Sequence, residues 1–358
     1  MFSLSALSLP VVAAPMAGGP STPELAAAVS NAGGLGFLAA GYKSAAAAAE
    51  QIARTRTLTA APFGVNLFVP DGANTYGANT NSANTNSANT RPAGKLAAAL
   101  AYRNLLAAGT GLEPGLPDPD DDDGWPAKLE LVLQERVPVV SFTFGLPEPE
   151  ILAELAGRGS CTVVTVTDGA EALAAAAAGA RMLCVQGPGA GGHRGTLDSA
   201  KIPGDVPLDR LLRGIRKVCG LPLIAAGGIA VPADAAAALA AGAGAVQVGT
   251  LLLRSSEAGT NPVHRAALLD AAQGLRCSET SLTRSFSGRP ARGLTNDFMR
   301  AYPNAPDAYP YVNQITGPLR AAAAAAGDPE GISLWAGTGY RRAEEAAAAD
   351  IVRRLAGS

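Results

Sequence analysis

The feature that most constrains the fold is a regular alternation of short apolar runs with alanine-rich segments. Eight apolar runs have the length of β-strands: residues 11–16, 35–40, 63–69, 137–144, 162–167, 182–186, 221–226 and 245–249. Segments of helical character separate most of them: residues 23–31, 45–54, 149–158, 170–178, 208–218 and 233–241. This alternation is typical of parallel βαβ units. Eight such units predict an α/β fold of the (β/α)8 TIM barrel type.

The alternation stops after the eighth run, which predicts a second region. We expect residues 1–253 to form the barrel and residues 254–358 to form a mostly helical and irregular extension at the barrel mouth, with helices at 262–272, 318–326 and 341–355. Two segments interrupt the barrel pattern. Residues 73–90 are rich in Asn, Thr and Ser and predict a flexible insertion, and the acidic residues 114–124 predict a solvated loop without the spacing of a cation site.

Charge and cysteine usage narrow the partner classes. The 28 Lys and Arg nearly balance the 30 Asp and Glu, for a net charge of -2. This composition provides no broad basic field for nucleic acid or an anionic membrane, so a small molecule is the expected partner. The four cysteines are far apart, without metal-ligand spacing. They predict buried free thiols in a reducing, cytoplasmic environment.

The apolar residues 9–14 have some resemblance to the core of a signal peptide. No Lys or Arg precedes Lys43, so the positive region of a signal peptide is missing. We therefore interpret this segment as the first barrel strand. No apolar run of about 18 residues predicts a membrane helix.

A glycine-rich loop containing a histidine, residues 185–195, follows the sixth strand. Gly187, Gly189 and Gly192 formally satisfy the dinucleotide pattern GxGxxG, which requires a helix to begin at once. Pro203 lies in a continuation that resists a helix, so a barrel loop is the better interpretation. His193 then lies at the mouth, where an imidazole acts as a general base, although a histidine satisfied by backbone is the alternative.

Other polar and glycine residues occur where barrel strands end. Gly227-Gly228 follows the seventh strand and Gly249-Thr250 the eighth, the loops at which barrels often bind phosphate, although tight turns alone would also explain them. The amides of Asn66 and Gln186 predict hydrogen bonds either to backbone or to the pyrimidine edge of a flavin. His264 is expected to lie on a helix surface.

Several motifs together carry a family resemblance. They include Ala14-Pro15-Met16-Ala17-Gly18-Gly19, Asn31-Ala32-Gly33-Gly34-Leu35-Gly36, Gly64-Val65-Asn66-Leu67-Phe68, residues 186–195, 225–229 and 247–250, Phe286-Ser287-Gly288-Arg289-Pro290-Ala291-Arg292-Gly293, and Leu334-Trp335-Ala336-Gly337-Thr338-Gly339. On these motifs the chain resembles the nitronate monooxygenases, formerly called 2-nitropropane dioxygenases. The match covers nearly the whole length.

The resemblance implies an FMN-dependent barrel that uses O2 to oxidise alkyl nitronates, such as propionate 3-nitronate, to a carbonyl compound and nitrite. It thus implies nitroalkane detoxification by a monomer or homodimer. His193 would be the base that removes the α-proton of a neutral nitroalkane. The residues implied to contact FMN, at its ring, its polar edge or its phosphate, are Ala14, Pro15, Met16, Asn66, Gln186, Gly191, Gly192, Gly227, Gly228, Gln247, Gly249 and Thr250.

One departure and two rival functions stay open at this point. Gly189 stands where relatives often carry a glutamate, and Pro188 precedes it. A flavin reductase that uses NAD(P)H to reduce an enoyl thioester or a quinone shares the barrel and the histidine loop. A barrel that binds FMN without catalysis is the second rival. Arg194 could attract an anionic substrate or form a structural salt bridge. Ser287, Arg289, Asn296 and Tyr302 could face the substrate, but the sequence gives no geometry that assigns them a role.

Overall fold

The computed structural model describes residues 2–77, 91–276 and 279–357. Its strands, in chain order, are β1 (Val11–Ala13), β2 (Gly36–Ala39), β3 (Phe63–Phe68), β4 (Val139–Thr143), β5 (Cys161–Val166), β6 (Met182–Gln186), β7 (Gly192–His193), β8 (Leu223–Ala226), β9 (Ala245–Val248), β10 (Thr280–Thr283) and β11 (Ala291–Leu294). Its helices are α1 (Pro23–Asn31), α2 (Ala45–Leu58), α3 (Arg91–Thr110), α4 (Trp125–Gln134), α5 (Pro149–Gly157), α6 (Gly169–Ala177), α7 (Leu208–Val218), α8 (Pro232–Ala240), α9 (Pro262–Gln273), α10 (Asp297–Ala301), α11 (Tyr311–Ala325) and α12 (Ala348–Ala356).

Eight parallel strands form the barrel, as the alternation predicted. Their order is β1-β9-β8-β6-β5-β4-β3-β2. A bridge between Val12 and Leu35 joins the two end strands, and Leu35 N donates to Val11 O at 3.0 Å. The chain is therefore a TIM-barrel protein, and its strand carboxyl ends meet at one mouth.

The helices and strands within the repeat agree closely with the sequence prediction. Helices α1 and α7 and strand β6 have the predicted bounds, β5 is shifted by one residue toward the N-terminus, and the other predicted strands are shortened by one to three residues in total. Thr22 caps α1 by accepting from Leu25 N at 2.9 Å, and Pro23 occupies the first turn. Local capping and the global repeat thus specify the same fold.

Two insertions in the pattern escaped prediction. Helices α3 and α4 both lie between β3 and β4, and α4 packs in the outer ring against α2 and β3. Helix α3 packs on α11, and Tyr102 and Leu106 of α3 share an apolar cluster with Phe286 and Val312. Helix α3 begins directly after the low-complexity residues 73–90, where the sequence pattern predicted no helix.

Residues of the C-terminal extension pack in two regions of the molecule. Helices α9, α10 and α11 and the strands β10 and β11 lie on the mouth side, where β11 pairs with β7. Helix α12 instead packs against α1 and α8 in the outer ring, where Ile351 and Val352 are buried. The extension is therefore not confined to the mouth. Helix α11 also starts seven residues earlier than expected, because Pro318 lies inside it and not in its first turn.

The two irregular segments differ in how much of each is described. In the Asn-rich segment, residues 78–90 lie outside the described residues, and Asn74 before them donates to Leu197 O at 2.6 Å. In the acidic loop, Asp120 and Asp121 are exposed. Asp123 instead pairs at 2.8 Å with Lys128, whose side chain is buried. The described residues contain no cluster of groups suited to a metal ion.

Three of the four cysteines lie in the described residues. Cys161, Cys184 and Cys219 are free and buried, and Cys277 lies outside the described residues. Across the ranges that the structure describes, no helix is both long and apolar enough to span a membrane.

We predict a large stability loss where α1 crosses β2. A Cβ added at Gly36 would lie 2.6 Å from Ala26 Cα, against helix backbone that has no room to move. We expect Gly36→Ala to lower the free energy of unfolding by about 3 kcal/mol in chemical denaturation. The control is Gly157→Ala at the exposed end of α5, where nothing lies within 4 Å; it should raise that free energy by about 0.5 kcal/mol. Equal stability of the two variants would contradict the assigned packing.

Candidate active site

One cavity of about 620 Å³ opens at the carboxyl ends of the barrel strands. It is the size of a cofactor or substrate site. All thirteen residues predicted from the sequence line it: Ala14, Pro15, Met16, Asn66, Gln186, Gly191, Gly192, His193, Gly227, Gly228, Gln247, Gly249 and Thr250. The fold therefore brings together residues that are up to 236 positions apart, as the distance from Ala14 to Thr250 shows.

A glycine-lined wall closes one end of the cavity. Gly227 and Gly228 have positive φ angles of 106° and 81°, so the chain turns there in a way that favours glycine. Within the described residues, no hydrogen bond uses the N–H groups of Gly228, Gly249 or Thr250. Gly337 N closes the wall by donating to Thr250 Oγ1 at 2.9 Å. Free amides at the start of a helical turn suit an anionic group such as a phosphate.

The floor of the cavity presents amide oxygens. Asn66 Nδ2 donates to Ser141 Oγ at 2.9 Å and to Thr143 Oγ1 at 3.0 Å, and Gln247 Nε2 donates to Cys184 Sγ at 3.3 Å. No donor among the described residues reaches Asn66 Oδ1 or Gln247 Oε1. Both residues line the cavity, so their free oxygens suit N–H or O–H groups of a ligand.

Gln186 makes two hydrogen bonds to backbone that hold the loop around His193. Its Oε1 accepts from Gly195 N at 2.8 Å and its Nε2 donates to His193 O at 3.0 Å. These bonds tie the end of β6 to the backbone on both sides of Arg194. Gln186 therefore fixes the strand that carries His193 and keeps one N–H for the cavity.

His193 lies on β7 in an aromatic surround. Its ring lies 5.6 Å from that of Phe144, 5.9 Å from that of Tyr309 and 5.5 Å from that of Trp335, measured between centroids. The loop before it is followed by β7 and not by a helix, since α7 begins only at Leu208. This excludes the Rossmann interpretation of the three glycines.

Electrostatics keep the His193 imidazole neutral. Burial, together with the like charges of the nearby Arg289 and Arg320, lowers its pKa from 6.5 to about 3. The neutral ring carries one lone pair, which can accept a proton.

Ser287 orients the His193 ring. Its buried Oγ lies 2.8 Å from His193 Nε2 and also accepts from Arg289 N at 3.3 Å and donates to Arg289 O at 3.2 Å. When Ser287 donates its proton to Arg289 O, its Oγ accepts from His193 Nε2–H, and Nδ1 is then the basic nitrogen. No other hydrogen bond holds the ring among the described residues.

The expectation for His264 is wrong. It lies in the first turn of α9 but is only 7% exposed and lines the cavity. Its ring bonds the backbone of Trp335, and burial lowers its pKa to about 4. Its Nε2 has no partner. The apolar spacing of α9 predicted that His264 faces solvent. C-terminal segments packed on α9 bury it instead, and no local sequence pattern predicts that packing.

Sequence reasoning also missed several cavity residues. Tyr42, Phe144 and Arg320 line the cavity, and Trp335 lies in a motif to which no role had been given. Tyr42 and Phe144 have positive φ angles of 64° and 79°, which is unusual for bulky side chains and concentrates at functional sites.

The remaining residues without a sequence role are structural. Arg289 is fully buried above the Phe144 ring at 4.2 Å and donates to Thr196 O. Asn296 caps α10 through Met299 N, and Tyr302 packs on Phe298 in the cap. The buried Arg194 does not line the cavity.

Comparisons with known proteins agree with this arrangement. A model of the nitronate monooxygenase family matches residues 2–357. A nitronate monooxygenase of Pseudomonas aeruginosa is 37% identical over 364 residues, which cover 98% of this chain and 96% of the relative.

Solved structures show the same likeness in three dimensions. Nitroalkane oxidase from Streptomyces ansochromogenes superposes with a TM-score of 0.88 at 45% identity, covering 99% of this chain and 96% of that chain. FabK from Thermotoga maritima superposes with a TM-score of 0.70 at 26% identity, covering 98% and 93%. The fold is thus shared with a nitroalkane oxidase and with FabK.

Proposed function

Because the chain belongs to the nitronate monooxygenase family, and is therefore an oxidoreductase enzyme, we propose that it oxidises alkyl nitronates with O2 to a carbonyl compound and nitrite. The observation that carries the proposal is the neutral His193 in a cavity that also holds a glycine-lined anion site. A base and a cofactor site that face one cavity suit removal of a proton followed by redox chemistry.

We propose FMN as the cofactor, because the cavity supplies a complementary group for each part of it. The free N–H groups of Gly228, Gly249 and Thr250 would bind the phosphate, and Pro15 and Met16 would lie against the ring. Asn66 Oδ1 and the remaining Gln186 N–H would bind the polar edge of the ring. When bound, FMN supplies the electron acceptor that no protein side chain provides.

His193 would act before oxidation when the substrate is a neutral nitroalkane. The Cα–H bond breaks, its electron pair moves into the nitro group, and the proton goes to His193 Nδ1. A ring with a low pKa is a weak base in isolation, but the transfer creates an imidazolium beside a nitronate. In a buried site their attraction is strong and favours the product. A pre-formed nitronate needs no such step.

Ser287 provides a test of how His193 is held. We expect Ser287→Ala to lower kcat/KM for neutral nitroethane by about 2- to 10-fold, because one hydrogen bond that fixes the reactive tautomer is lost. Turnover of ethyl nitronate should change less. Ser287→Thr, which keeps the hydroxyl, should restore part of the activity; equal losses in both variants would indicate only a packing role.

Aerobic turnover tests the proposed function directly. Purified holoprotein mixed with propionate 3-nitronate or ethyl nitronate should consume O2 and release nitrite, and NADH should not be consumed with a quinone or an enoyl thioester. The likeness to FabK makes the second assay necessary. Oxidation of NADH without nitrite release would replace this proposal with a reductase.

A further inference from the structure

Arg320 is a cation in the cavity without a carboxylate partner. Its Nε donates to Thr316 Oγ1 at 3.2 Å and its Nη2 to Asn313 O and Oδ1 at 2.8 and 2.9 Å. No ion pair within the described ranges includes it. Burial lowers its pKa, although an arginine stays charged. A desolvated charge of this kind is costly unless a ligand supplies the opposite charge.

Tyr42 adds a directed hydroxyl beside Arg320. Tyr309 Oη donates to Tyr42 Oη at 3.2 Å, so the Tyr42 proton is left to donate elsewhere, and no acceptor for it exists in the described part of the chain. Tyr42 lines the cavity with 42% of its surface exposed, and partial burial raises its pKa above the ordinary value, which keeps the phenol protonated. The backbone N–H of Tyr42 donates to Asp123 Oδ1 at 2.8 Å. This bond helps to hold Tyr42 in its positive-φ conformation.

These two donors lie on the His193 side of the cavity. The Tyr309 ring, which bonds Tyr42, packs 5.9 Å from the His193 ring. Arg320 is near enough to depress the pKa of His193 and to interact electrostatically with Tyr42. The glycine-lined wall is made by other loops, those after β8 and β9. The cavity therefore has a second group of hydrogen-bond donors, apart from the glycine-lined wall.

We propose that Arg320 and Tyr42 bind the two oxygens of the substrate nitro group and stabilise the nitronate as His193 removes the α-proton. The inference rests on the proposed function and assigns residues for it. In this step the proton moves to His193 and the C–H electron pair becomes the C=N bond, which shifts negative charge onto the two oxygens. Nothing is oxidised. Donors aimed at developing charge bind the transition state more strongly than the neutral substrate.

A substrate carboxylate also presents two oxygens that carry negative charge, so it is the alternative ligand for Arg320 and Tyr42. The test therefore compares nitroethane, which has only a nitro group, with 3-nitropropionate, which has both groups. Nitrate serves as a probe for binding alone because it is a planar anion that is not turned over.

The variants are Arg320→Met and Tyr42→Phe in the holoprotein, with Arg210→Met as a control. Arg210 is exposed on α7 and its loss changes the net charge equally. We expect Arg320→Met to weaken nitrate binding, measured as inhibition and as the nitrate-dependent rise in Tm, by about 10- to 100-fold. It should lower kcat/KM for nitroethane comparably. Tyr42→Phe should cost about 2- to 10-fold in both, and Arg210→Met should change neither.

The outcomes separate the two proposals. Unchanged nitrate binding and nitroethane turnover in Arg320→Met and Tyr42→Phe overturn this inference while the nitronate activity stands. A loss confined to 3-nitropropionate assigns the site to a carboxylate and also overturns it. If Arg320→Met does not fold, Tyr42→Phe decides alone. Failure of the unmodified protein to oxidise any nitronate refutes the proposed function itself.

Discussion

Replacing His193 by asparagine is expected to lower kcat/KM for neutral nitroethane by about 10²- to 10⁴-fold, the usual contribution of a general base. Asparagine keeps a polar side chain that can bond Ser287 Oγ but cannot accept the proton. Turnover of ethyl nitronate, which carries no α-proton to be removed by a base, should fall by a much smaller factor. Steady-state rates on the two substrate forms measure the difference.

Two further measurements distinguish a general base from a residue that only positions the substrate. Equal losses on nitroethane and ethyl nitronate would show that His193 positions the substrate and is not its base. In the unmodified protein, kcat/KM for nitroethane should show no inflection near pH 6.5, the ordinary value for imidazole. The His193 pKa is lowered to about 3, so the basic form persists as the pH falls through that value.

Gly228→Asp is expected to weaken FMN binding by about 10²- to 10³-fold. Gly228 has a φ of 81°, a conformation that Asp and Asn tolerate better than other side chains, and it lies in the wall assigned to the phosphate. A carboxylate about 4 Å from a phosphate charge costs about 4 kcal/mol at an effective dielectric constant of 20. Quenching of FMN fluorescence by the apoprotein gives the Kd.

Gly228→Asn is the matched control, since it has the same shape without the charge. We expect Asn to change the Kd much less than Asp and the Asp effect to shrink as salt is added. Similar Kd values for the two variants would place the phosphate elsewhere in the cavity.

The barrel was predictable because its information is local and repeated. Each βα unit carries its own apolar strand and helical segment, so the bounds of α1 and α7 follow from a few residues each. Helix α12 illustrates the limit. It completes the outer ring more than 90 residues after β9, and only its packing on α1 and α8 shows that role.

The site was predictable where glycine and amide residues end barrel strands, because strand ends share one mouth. The contacts that residues 254–358 make with the site were not predictable. Ser287, Trp335 and Arg320 come from distant segments whose position over His193 depends on α3, α11 and the β7-β11 pairing. Gln186 was placed correctly in the cavity, but its bonds to the backbone of His193 and Gly195 follow from backbone geometry that no motif encodes.

The most direct test is anaerobic. Purified yellow holoprotein is mixed with ethyl nitronate, and a second sample with NADH, while the flavin absorbance is followed without O2. We expect a prompt absorbance change with the nitronate and none with NADH. An absorbance change with NADH alone would contradict the account.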